Sequence, residues 1–145
     1  MNLIIVVVVT FVCLTRLPAY GQPPTTNIDR TALPVWDRYA NCEETMTYSA
    51  CFDLLSDAAR RGWAQQRRIT SVDGYESYKQ RNDYANLRLT LLGANRKGAA
   101  VILRVLASGM NEGRSFLTFQ EYFVVRESGG WKVDRLEVDG KVQLP

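Results

Sequence analysis

Histidine is absent from all 145 residues of the sequence, and that gap removes a large part of enzyme chemistry. Without an imidazole there is no Ser-His-Asp or Cys-His nucleophile system and no histidine metal site. Cysteine is scarce: three residues, at positions 13, 42 and 51. Thiolates this few make a poor zinc site, because four nitrogen or sulfur ligands are usual. No phosphate-binding loop and no dinucleotide fingerprint occurs, and the glycines fall in short turn-like stretches instead. A dominant charge is missing too, since 18 basic side chains face 15 acidic ones. That balance gives no electrostatic reason to expect nucleic acid or an anionic membrane as a partner. No metal and no cofactor is therefore expected.

One apolar run stands out, Leu3 to Leu14. As a helix it would span about 18 Å, short of the ~30 Å hydrocarbon core of a bilayer. Arg16 and Pro18 end it, and Ala19-Tyr20-Gly21 places small residues at −3 and −1 of a cut before Gln22. Residues 1–21 are thus expected to be a secretory signal peptide, although no Lys or Arg precedes the apolar run. Cys13 follows Phe11-Val12 rather than small residues, which argues against a lipid-attachment cysteine. The expected protein is exported, periplasmic or secreted, with no stable membrane insertion once the leader is cut. Cys42 and Cys51 remain, and two cysteines in an oxidising compartment are a natural disulfide pair.

The mature part begins with a polar, Pro-rich stretch, and residues 22–31 are expected to be a flexible tether. A single domain is expected over 32–145. Thr31 can cap a helix that starts at Ala32 and carries Leu33, Trp36 and Tyr39 to about Glu44. A second helix, capped by Ser49, follows from Cys51, Leu54, Leu55 and Ala58 at i, i+3, i+4 and i+7, with Gly62 as its stop. Ser71 can cap a third, short helix bearing Val72, Tyr75 and Tyr78. After Asp83 the period changes. Four alternating or apolar stretches (85–92, 99–108, 115–126 and 131–138) are separated by GANRKG, GMNEG and ESGG. They predict an antiparallel meander. Three helices followed by four strands define an α+β domain with the helices on one sheet face.

That order resembles the nuclear transport factor 2-like superfamily, the cystatin-like cone. The likeness rests on Val35 to Tyr39, on Cys51 to Arg61, on Ser71 to Tyr78, and above all on Phe119 to Val133 with Asp134-Arg135-Leu136. It covers roughly residues 32–138 and implies three N-terminal helices packed on a curved four-stranded antiparallel sheet. The superfamily holds isomerases, dehydratases, hydrolases and many binding or assembly domains, so the fold alone does not choose an activity. Its enzymes commonly use a cavity histidine or an Asp/Arg set, and only the second is open to a chain without histidine.

In a cone, a ligand pocket is expected where the first helix and the sheet diverge. Trp36 and Tyr39 are three apart and share a helix face, where they either line that pocket or pack the core. Arg104 interrupts one apolar strand, Glu121 another, and Tyr122 follows Glu121. A charge on an apolar sheet face must be paired, shift its pKa or reach water. Glu121 is the candidate catalytic base if the pocket is catalytic, and a structural partner of an Arg if it is not. Of the adjacent pair Glu121 and Tyr122, a regular strand points only one inward. The basic segment Arg60-Arg61 to Arg67-Arg68, with Trp63 inside it, is read as a solvated loop rather than an anion site. The function expected from all this is an exported, non-catalytic binding or interaction domain for an unidentified small molecule or protein. A lyase or isomerase using a cavity carboxylate, or a component of an envelope or secretion assembly, is the alternative. The sheet is also an expected homodimer surface.

Overall fold

The computed structural model describes residues 30–82 and 84–143. The expected leader, with its cleavage site and Cys13, and most of the expected tether lie outside the described residues. Four helices precede four strands: α1 (Leu33–Glu44), α2 (Tyr48–Asp53), α3 (Asp57–Arg67), α4 (Val72–Arg81), then β1 (Ala85–Lys97), β2 (Ala100–Asn111), β3 (Arg114–Glu127) and β4 (Gly130–Gln143). The strands pair antiparallel in the order β1-β2-β3-β4. This is an α+β fold with a meander, as the change of period predicts.

Strand alternation sorts the two faces. On β2, Val101, Leu103, Val105 and Ala107 are buried against the helices. On β3 the helix-covered residues are Thr118, Tyr122 and Val124. The hairpins are tighter than the Gly-containing stretches suggest. β1 runs through Gly93 to Lys97, and only Gly98-Ala99 makes its turn, with Gly98 at φ 61°. The next turn is Glu112-Gly113, both at positive φ (50° and 78°). Two-residue turns of this hand match the right-handed twist of the strands.

α1 buries Val35, Trp36, Tyr39, Cys42 and Glu43, a stripe at i, i+1, i+4, i+7 and i+8. Ala32, not Thr31, holds the cap position, and the Thr31 hydroxyl accepts from the Trp131 indole at 3.1 Å instead. Pro34 lies in the first turn, where no intrahelical N–H bond is lost.

The single second helix expected from Ser49 to Gly62 is two helices, so the domain has four helices rather than three. Between them Leu55 forms a parallel bridge to Val133. The Val133 N–H donates to the Leu54 carbonyl and the Ser56 N–H to the Val133 carbonyl, both at 2.8 Å. β4 is an edge strand with backbone groups to satisfy, and this short segment satisfies them. Ser56 then caps α3: its hydroxyl accepts from the Ala59 N–H at 2.9 Å and donates to Asp134 at 2.6 Å. Gly62 lies inside α3, whose left-handed stop is Arg68 at φ 58°. Ser71 does cap α4, accepting from the Gly74 N–H at 3.2 Å.

Cys42 on α1 and Cys51 on α2 form a disulfide with Cα atoms 5.6 Å apart. A bridge over nine residues constrains the unfolded chain by about 2.6 kcal/mol in the loop-entropy account. No helix among the described residues is long and apolar enough to cross a membrane.

Candidate functional site

Two aromatic groups organise the space under the helices. Phe52, Trp63, Tyr75 and Tyr78 join α2, α3 and α4 through ring contacts of 5.1–5.4 Å between centroids. Trp36 and Tyr39 on α1 pack on Tyr122 of β3, at 4.9 and 5.8 Å. Beside this second group lies a cavity of about 240 Å³, walled by Tyr39 and Glu43 of α1, Lys79 of α4, and residues of the sheet. Leu87, Leu89 and Phe116 form an apolar side, and Leu136 sits at the wall, 45 % exposed. Thr118, Gln120 and Tyr122 run along β3 as a polar ladder. The Tyr122 hydroxyl donates to Gln120 Oε1 at 2.9 Å, and Gln120 Nε2 donates to Thr118 Oγ1 at 3.2 Å.

Glu43 is the charged centre of this site, and nothing in the sequence reading singled it out. It is 4 % exposed. Lys79 Nζ donates to its Oε2 at 2.6 Å, while Oε1 is buried, with the Tyr39 and Tyr75 hydroxyls beside the carboxylate. Lys79 also lies 5.2 Å over the Tyr48 ring. Burial first, and the nearby Glu43 charge second, push the hydroxyls of Tyr39, Tyr75 and Tyr122 well above the usual 10.0. All three therefore stay protonated at neutral pH, as hydrogen-bond donors around a carboxylate. The signal for Glu43 was available: it falls four residues after Tyr39, on the apolar stripe of α1.

The sequence candidates separate across the sheet. Tyr39 and Tyr122 reach the cavity wall. Trp36 is buried under Tyr122 as core. Arg104 and Glu121 lie opposite each other on β2 and β3, on the face away from the helices. Arg104 Nε donates to Glu121 Oε1 at 3.2 Å, with the two side chains 65 % and 35 % exposed. Such an exposed pair contributes about 0–1 kcal/mol. Glu121 is thus the structural partner of an Arg and is turned from the cavity, because Tyr122 takes the inward position next to it. Leu92 and Phe119 flank this pair, each about half exposed.

No protein-family model, curated protein or solved structure matches the chain. Among the described residues no three His, Cys, Asp or Glu side chains group as metal ligands would.

Proposed function

We propose that the chain is an exported, non-catalytic binding domain of the nuclear transport factor 2-like kind, holding a small molecule between α1 and the sheet. The observation that carries the reading is the cavity itself. It is concave, with more apolar than polar surface, and Glu43, Lys79, Thr118 and Gln120 converge on it, as polar groups do in small-molecule sites. Helices followed by one four-stranded meander, with the pocket where α1 leaves the sheet, support the cone-like assignment. The Cys42–Cys51 bridge supports passage through an oxidising compartment, consistent with residues 1–21 acting as a leader.

A lyase or isomerase is the second reading, and one observation favours it. Glu43 presents a buried carboxylate beside tyrosines held in the donor form. In that reading Glu43 would be the base and Tyr39 or Tyr122 the proton donor. A fragment screen by NMR separates the two. Binding without turnover, with shift changes confined to Tyr39, Leu89, Phe116, Thr118 and Tyr122, supports the binding domain. Turnover of a bound fragment that is lost in Glu43→Gln supports the enzyme. Shift changes confined to the face of Arg104 and Glu121 would reject both.

A further inference from the structure

The charges and walls of the cavity narrow its ligand to one class. The wall carries two cations and two anions: Lys79 is hydrogen-bonded to Glu43, and Arg114 and Glu112 stand two residues apart at the β2–β3 turn. The wall's charges sum to zero, so a charged ligand would shed its hydration for no net attraction, a large cost in a half-enclosed apolar space. The polar end both gives and takes hydrogen bonds. Lys79 has three N–H groups, one of which meets Glu43 Oε2, and Thr118 and Gln120 add acceptor oxygens. A hydroxyl is the small neutral group that donates and accepts at once. At about 240 Å³ the cavity holds the volume of roughly eight waters, below the ~300–1,000 Å³ of drug-sized sites.

Building on the binding reading above, we infer that the ligand is an uncharged, largely apolar molecule with a terminal hydroxyl. Its apolar body lies against Leu87, Leu89 and Phe116, and its hydroxyl sits at the Glu43–Lys79 end beside Gln120. The test uses the disulfide-intact protein and four probes sharing one skeleton: 4-propylphenol, propylbenzene, 4-propylbenzylamine and 4-propylbenzoate. Affinities come from NMR titration, in the wild type and in Leu136→Trp, which fills the cavity from a half-exposed wall position. The expected result is that 4-propylphenol binds about tenfold or more tighter than each of the other three, the yield of one or two hydrogen bonds at a charged group. That binding should vanish in Leu136→Trp. Equal binding of propylbenzene, or tighter binding of either ion, overturns the ligand class while leaving the cavity a site. If no probe distinguishes the wild type from Leu136→Trp, the cavity is not a site, and the binding reading falls together with this inference.

Discussion

Replacing Lys79 by Met should be the most destabilising conservative change at the cavity, and its partner change should be milder. Lys79→Met removes, among the described residues, the only cation hydrogen-bonded to Glu43, at 2.6 Å, and leaves a carboxylate that is 4 % exposed. Breaking a buried ion pair from one side costs about 3–5 kcal/mol, because the other charge stays behind. The Lys79 side chain is 22 % exposed, so water can enter behind it, and the low end of that range, about 3 kcal/mol, is expected. Glu43→Gln strands the ammonium instead. Lys79 already reaches partway to solvent and can turn its head there, so a cost of about 1–2 kcal/mol is expected. Removing both charges together, Glu43→Met with Lys79→Met, should cost less than Lys79→Met alone, since an apolar pair often replaces a buried ion pair at little cost. Urea unfolding of the oxidised protein reads all three. With a slope of about 1–3 kcal/mol/M, the Lys79→Met midpoint should fall by about 1–3 M. A Lys79→Met loss under 1 kcal/mol, or a double variant worse than both single ones, would show that the pair is not held as its geometry indicates.

Three further outcomes test other parts of the fold. Tyr39, Tyr75 and Tyr122 have folded pKa values raised above 10.0, so their contribution to stability is complete below about pH 10 and is lost as pH rises further. The unfolding free energy read from urea titrations should drop steeply above that pH, by up to about 1.4 kcal/mol per pH unit for each tyrosine. Tyrosinate absorbance from all tyrosines near pH 10 in the folded protein would contradict it. Cys42→Ser with Cys51→Ser should lower stability by about 2–3 kcal/mol, and a reductant should have no further effect on that variant. Ser56→Ala should cost about 1–3 kcal/mol by denaturant unfolding, since it removes both the α3 cap and the bond to Asp134; a loss below 0.5 kcal/mol would mean that Ser56 does not join α3 to β4.

Periodicity by itself determined the sequence of element types, the four strands and their antiparallel order. It also located α1 and α4, because an amphipathic stripe and a two-residue alternation are local properties of the chain. The Cys42–Cys51 pairing followed from counting. The break between α2 and α3 did not follow, because Leu54, Leu55 and Ala58 keep a helical spacing right through it. Val133 broke the helix there, 78 residues after Leu55, by demanding hydrogen bonds for an edge strand. The strand faces were undetermined for a related reason: Glu121 and Tyr122 are adjacent, and one residue of register exchanges them. Packing decided in favour of Tyr122, whose ring meets Trp36 and Tyr39, and sent Glu121 outward to Arg104. Glu43 was visible on the stripe of α1 but looked like the polar end of a helix. Only the fold, by bringing Lys79 from α4 against it, made a buried carboxylate tenable, since a charge survives in an apolar interior where a partner arrives from elsewhere in the chain.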